Sequence, residues 1–296
     1  MRRTIVIEQV IKGIWTHPMS VRGSRYKTMY RFLKWQLIEK PFHKNTGLEK
    51  EWFDNRKLML YSGRAAATGN YYLGLMEYME MAFCLKYATS TDFFIDCGAN
   101  VGVYSILLGP ECRGGIALEP GSDTFAILEE SLCVNKLKNV TAVKKGAGAI
   151  NEQLLLTKGN DTTNHVVNQE NLEGLSSNMY ETIEIIPLDS LGAAGKVTIL
   201  KIDVEGMEKS VLKGAHNLLV SDELNVVILE TFGREDLHDI MINYGFKLCA
   251  YNPEECELVV CEKNQISNNG IYVKNVGLAQ KRIKEKKEYK ISGVSI

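Results

Sequence analysis

"FFIDCGANVGVYSILLG", residues 93–109, runs from an apolar stretch into Asp96, through Gly98 and Gly102, and into a second apolar stretch. The first part reads as a short buried strand, the last as the start of a helix, and the glycines as the turn between them. Glycine lets the backbone turn sharply and lets a ligand approach without meeting a Cβ. The helix that follows offers N–H groups with no intrahelical partner. A second strand, "GIALEP" (115–120), ends on Glu119, 23 residues after Asp96. In nucleotide-binding βαβ units an acid at that place receives two ribose hydroxyls, because both are donors and a carboxylate offers paired acceptors.

Two ligand chemistries compete for such a turn. A dinucleotide brings a pyrophosphate, which wants G-x-G-x-x-G and a positive helix start. Here the spacing is G-x-x-x-G, and Asp96 stands two residues before the first glycine. A carboxylate is a poor neighbour for pyrophosphate and a good one for an ammonium or a sulfonium. S-adenosylmethionine carries both cations, with a ribose for Glu119, and is the expected cofactor. A nicotinamide dinucleotide, in an oxidoreductase, is the alternative; a structural turn without a ligand is the other.

Outward from this unit the pattern keeps alternating. "SDTFAILEESLCVNKL" (122–137) predicts a helix capped by Ser122, and "NVTAVKK" (139–145) a third strand. "EQLLLTK" (152–158) and "TIEIIPLDSL" (182–191) read as an antiparallel excursion around a polar stretch. "TILKIDV" (198–204) is a strand, followed by a helix from Glu205 to Val220, the strand "NVVILET" (225–231) and a helix over 235–245. "FKLCAY", "LVVC" and "GIYVK" close the unit as antiparallel strands. This predicts an α/β, Rossmann-like fold: a mostly parallel central sheet with helices on both faces and antiparallel C-terminal strands. Ligands in such sheets bind beyond the carboxyl ends of the strands, which directs attention to Asp96, Glu119, Lys145, Asp203 and Glu230.

The organisation expected is an N-terminal helical cap over residues 1–70, the α/β domain over 71–277 and a basic tail over 278–296. Tyr71 to Ala88 reads as one helix with a wide apolar face. Thirteen of the 35 Lys/Arg but only five of the 36 acids fall within residues 1–60, leaving 22 and 31 elsewhere, although the whole chain carries a net charge of only −1. A basic arm of this kind can touch an anionic surface such as lipid head groups or acidic glycans; a solvated face is the plainer reading. No run of apolar residues is long enough to span a bilayer, and the start of the chain does not read as a secretory signal. The seven cysteines form no CxxC pair, which argues against zinc and for a reducing, cytoplasmic setting, with peripheral membrane contact through the basic N-terminal region as an option. Nothing suggests a nucleic-acid partner, and the spacing requires no metal.

"DCGANVG", "LEP", "PLDSL", "LKIDVEGMEKSVLKGAHNLL" and "VVILE", in that order, resemble the FkbM-type methyltransferases over roughly residues 74–274. That resemblance implies the class I S-adenosylmethionine-dependent fold and an enzyme that methylates hydroxyl groups, often on sugars or glycan precursors. It implies that Asp96, Gly98, Asn100 and Gly102 line the methionine part of the cofactor, that Glu119 takes the ribose, and that Asp203 meets the transferred methyl group with Glu205 and Gly206 behind it. Where many class I enzymes place a polar side chain near adenine, this sequence reads "KKGAGAI", which leaves the backbone of Gly146 and Ala147 for that task. The family often has an acid in the helix before the first strand, and Glu77 stands there in this sequence, either facing the cofactor pocket or solvated.

A sugar hydroxyl is a weak acid and benefits from a base. Asp203 is the first candidate, Glu205 the second, and His165, in the polar loop "NDTTNHVV", the third. The plain alternatives are cofactor positioning for Asp203, stabilisation of a helix start for Glu205 and Glu208, and a surface histidine. A non-catalytic module that keeps the fold is the remaining alternative to an enzyme.

Overall fold

The computed structural model describes residues 10–43, 46–158, 166–167, 179–231, 234–262 and 269–296. A short helix, Pro18–Arg22, leads into α1 (Arg25–Lys34), which runs on through one π-helical turn, Trp35–Glu39. A hairpin of β1 (Leu48–Glu51) and β2 (Lys57–Leu60) follows, then α2 (Ala65–Leu73) and α3 (Tyr78–Tyr87). Two βαβ units come next: β3 (Phe93–Cys97), α4 (Val103–Leu108), β4 (Gly114–Leu118), α5 (Ser122–Val134) and β5 (Val140–Val143). Strands β6 (Gly146–Ala147), β7 (Glu152–Thr157), β8 (Val166–Val167) and β9 (Tyr180–Ile186) make a separate four-stranded sheet. The chain then returns through β10 (Ile199–Ile202), α6 (Glu208–Lys213), α7 (His216–Val220), β11 (Val226–Glu230) and α8 (Glu235–Asn243). It closes with β12 (Lys247–Asn252), β13 (Glu257–Val260), β14 (Asn269–Val273), α9 (Val276–Glu285) and a small hairpin, β15 (Lys290–Ile291) with β16 (Val294–Ser295).

The central sheet has eight strands in the order β13-β12-β14-β11-β10-β3-β4-β5. From β11 to β5 neighbours are parallel; β14, β12 and β13 join antiparallel. Strand order reverses between β3 and β10, so Asp96, Glu119, Asp203 and Glu230 all end up along one edge, as sequence pattern alone predicted. Both faces are covered. Phe94, Ile199, Val226 and Ile228 point into one core, and Ile95, Cys97, Leu200, Ile202 and Leu229 into the other, as the two-residue period of a strand requires. Each such side chain contributes about 1.5–3 kcal/mol on full burial.

Three predicted elements differ. Tyr71 to Ala88 is two helices, not one. Gly74 ends the first with φ +103, and a Cβ there would lie 2.8 Å from Ser292 Oγ and 2.9 Å from Met19 Cε. Met19 of the first short helix and Ser292 of the last hairpin pack on that break, so only glycine fits it. The helix expected from Glu205 starts at Glu208 and is itself split. Gly214 passes so close to Gly148 that a Cβ would lie 1.9 Å from its carbonyl oxygen. Asp189 then accepts from the N–H groups of Asn217 (2.9 Å) and Leu218 (3.1 Å), starting α7. Ser122 is the first residue of α5, after Gly121; its N–H donates to Glu181 at 3.1 Å and its hydroxyl donates to the same carboxylate, brought in by β9.

The basic C-terminal stretch is folded onto the body. Arg282 Nη1 lies 3.0 Å from both oxygens of buried Asp92, and Lys286 Nζ lies 2.8 Å from Glu111. Among the described residues no helix is long and apolar enough to cross a membrane. All seven cysteines are unpaired.

Candidate active site

Along the switch edge lies a cavity of about 860 Å³, within the range of small-molecule sites. The β3–α4 turn forms one wall. Gly98 has φ +76, and a Cβ there would lie 1.8 Å from the carbonyl oxygen of Asp203. The β3 and β10 tips touch backbone to backbone, which no side chain would permit. Gly98 and Ala99 donate to the Leu118 carbonyl at 3.1 and 2.8 Å, tying the same turn to β4.

Glu119, 9% exposed, projects from the next strand tip into this cavity. Its Oε2 accepts the Asn100 N–H at 3.1 Å and its Oε1 the Gly121 N–H at 2.9 Å. Those bonds fix the carboxylate and leave lone pairs for a ligand. Burial raises its pKa to about 7, against the lowering by those two N–H groups and by Arg64. Gly146 and Ala147 line the neighbouring stretch, walled by Ile183, Ile185 and Leu156 of the small sheet.

Beneath the turn is a second constellation, in which Asp96 and Ser105 stand off the cavity while Lys201, Asp203, Tyr104 and Glu77 border it. Asp96 and Lys201 are register partners on adjacent parallel strands, so both point to the same face. Lys201, 6% exposed, lies 3.0 Å from Asp203 Oδ2 and 3.9 Å from Asp96 Oδ1. Its Nζ also sits 4.9 Å from the centre of the Tyr104 ring, within reach of a cation–π attraction. Tyr104 donates its hydroxyl to Glu77 at 2.5 Å, and Ser105 donates to Asp96 Oδ2 at 2.8 Å. Burial alone would lower the ammonium's pKa; Asp203, Asp96 and Glu77 outweigh it and raise it. The pKa of Asp96 is raised by its burial despite Lys201 and Ser105, and that of Glu77 by burial too.

On the far side of β10, Glu230 ends β11 and lines the cavity with Asp203. Burial, then the charges of Asp203, Glu205 and Glu208, raise its pKa to about 7. Glu208 is buried and turned inward: it accepts the Gly206 N–H at 2.9 Å and so braces the turn after Asp203. Glu205, with φ +51, is exposed in that turn rather than in a helix.

Of the residues singled out in the sequence, Glu77, Gly98, Asn100, Glu119, Gly146, Ala147, Asp203 and Glu205 meet on this one cavity. Asp96 and Gly102 do not line it. Asp96 is sealed under the turn at 1% exposure, and Gly102 faces Leu128, whose Cδ1 would lie 2.7 Å from an added Cβ. His165 lies outside the described residues. Lys201 and Tyr104 were missed, though "ILKID" held the signal: a lysine centred on an apolar strand needs carboxylates beside it.

The residues present fit an S-adenosyl nucleoside. Glu119 offers fixed acceptors for a diol, and the wall from Glu77 to Asp203 and Glu230 is acidic. Lys201 is the sole lysine or arginine among the described residues that line it. Among the described residues no three His, Cys, Asp or Glu side chains converge in a way that would hold a metal ion.

The strand order and the acids at its switch edge define a class I methyltransferase fold. The model of the methyltransferase FkbM domain matches residues 96–252, more than half of the chain, and the protein belongs to that family. It is 28% identical over 144 residues to Methyltransferase 1 of Beauveria bassiana, covering 42% of this chain and 58% of that protein. It is 30% identical over 161 residues to the hexuronic acid methyltransferase AglP of Haloferax volcanii, covering 53% and 62%. The chain thus spans about three fifths of the length of these curated relatives. The methyltransferase FkbM crystal structure from Methylobacillus flagellatus KT aligns at 17% identity with a TM-score of 0.44, over 70% of this chain and 52% of that one.

Proposed function

We propose that this protein transfers a methyl group from S-adenosylmethionine to a hydroxyl of a sugar, a glycan precursor or a related polar metabolite. The observation that carries this reading is the pairing of Asp203 with Glu230 on the wall of the cavity that also holds Glu119. Glu119 and Glu230 end strands three places apart in the sheet. At about 4.8 Å per strand that is ~14 Å, room for a nucleoside at one end and an acceptor at the other.

When bound, the sulfonium supplies the electrophilic methyl group. Glu119 accepts the ribose hydroxyls, and the backbone of Gly146 and Ala147 borders the base. Lys201 holds one oxygen of Asp203 at 3.0 Å, so Asp203 serves as a fixed anion. Glu230, with its pKa near 7, accepts the proton that the acceptor hydroxyl must lose. The acidic wall disfavours a carboxylate as the methyl-accepting group and points to a hydroxyl. The name of the AglP relative supports a sugar-like acceptor.

The test is incubation with S-adenosylmethionine and a panel of saccharides and uronides, with products analysed by mass spectrometry before and after alkali. A base-stable methyl ether is expected. An alkali-labile ester, or no transfer to oxygen, would overturn the reading. Glu230→Gln should cut kcat by about 10²–10⁴ while S-adenosylhomocysteine still binds with unchanged affinity.

A further inference from the structure

Helix α1 and its π-helical extension carry two opposite stripes. Thr28, Phe32, Trp35 and Glu39 are buried against the body. Tyr26, Tyr30, Leu33 and Leu37 recur at the same helical spacing, about 180° away at ~100° per residue. They are 79%, 65%, 42% and 71% exposed. Trp15 extends this stripe, its ring edge-on to Tyr26 at 5.6 Å, with the Arg25 guanidinium 5.8 Å from the indole. A surface helix ordinarily turns polar residues outward; a contiguous apolar face marks a docking surface.

Charge selects the occupant. Residues 10–43 hold seven Lys/Arg and one acid. That acid, Glu39, is buried and held by Lys34 at 3.2 Å and Lys50 at 2.6 Å, so it cannot balance the outer face. Arg22 and Lys34 are paired with Glu254 and Glu39 and Arg31 turns inward to Ser292; a second copy docking through the same patch would set the exposed Lys12, Arg25 and Lys27 against their own images. An anionic bilayer meets both features: tryptophan and tyrosine favour the head-group level, and lysines beside the stripe, such as Lys27, meet phosphates. We infer that the Tyr26–Leu37 face, with Trp15, docks this protein peripherally on an anionic phospholipid bilayer. The contact is interfacial, since no described helix is long and apolar enough to span one. Pro18 of the same segment lines the cavity and the His17 ring bonds the Met76 carbonyl at 3.0 Å, so a bilayer holding this face also holds one cavity wall.

The experiment is sedimentation of the full chain with vesicles of phosphatidylcholine alone and of equal parts phosphatidylcholine and phosphatidylglycerol. Binding to the mixed vesicles only, weakened by salt, is expected. The double variant Tyr30→Ser, Leu37→Ser should bind them at least about tenfold more weakly with an unchanged melting temperature, since both residues are exposed. Lys27→Glu should weaken binding less. Failure to bind anionic vesicles, binding by the double variant equal to the parent's, or a dimer in light scattering that the double variant dissociates would each overturn the inference. None of these readouts depends on methyl transfer.

Discussion

Asp96 and Glu119 end neighbouring strands and read alike in the sequence, yet the protein uses them differently. Glu119 stands on the cavity wall, each oxygen on one backbone N–H. Asp96 lies under the floor, joined to Ser105 and close to Lys201. The difference is one of partners. Backbone donors come with the turn itself, so the wall acid can be exchanged without dismantling the fold. The floor acid belongs to a buried charge cluster whose members depend on one another.

The largest effect should come from the floor. Lys201→Met removes the cation that, alone among the described lysines and arginines, lines the cavity beside Asp203 and Glu77, and should cost about 3–5 kcal/mol of stability. Thermal unfolding without ligand measures it; an unchanged melting temperature would erase the distinction between floor and wall. At the wall, Glu119→Gln sets an amide NH2 against one of the two backbone N–H groups and should cost about 1–2 kcal/mol of stability, less than the floor variant, while weakening S-adenosylhomocysteine about 10- to 100-fold, the loss of about 1.5–3 kcal/mol of charged hydrogen bonding. Calorimetry decides, and parental affinity would remove Glu119 from the site.

Protonation sharpens the same contrast. Glu119 sits near 7 in the fold against an ordinary 4.5, so the folded state binds more protons than the unfolded one across that window. The ligand-free protein should therefore lose stability as pH rises from about 4.5 to about 7. Ligand affinity should move the other way, rising through pH 7 as the carboxylate that receives the ribose ionises, and this rise should vanish in Glu119→Gln. The smallest effect belongs to exposed Glu205. Its charge helps raise Glu230, so Glu205→Gln should shift the pH–rate profile slightly toward acid, with kcat and stability otherwise kept.

The βαβ order, the antiparallel ending and the acids at the strand tips were legible because buried strands write their period and their ends into the chain. "KIDVEGME" was legible as a family pattern, but its roles were not. Glu208 braces the turn locally through Gly206, but the lysine balances the floor through Asp96 of β3, Tyr104 of α4 and Glu77 just before α3. The two basic regions show the same limit. In the tail, Arg282 and Lys286 are spent on Asp92 and Glu111; near the N-terminus Arg22 and Lys34 meet Glu254 and Glu39, while exposed Lys27 flanks an apolar stripe. Composition could not separate them, because the deciding carboxylates lie far away along the chain.

By itself the sequence determined a doubly wound sheet with a glycine turn and acids at its switch edge, since hydrophobic period and turn chemistry are local. Tertiary structure alone decided which acid faces the cavity, which is locked to a buried lysine and which face of the first long helix stays open. Those are consequences of strand register and long-range packing, and no local pattern encodes either.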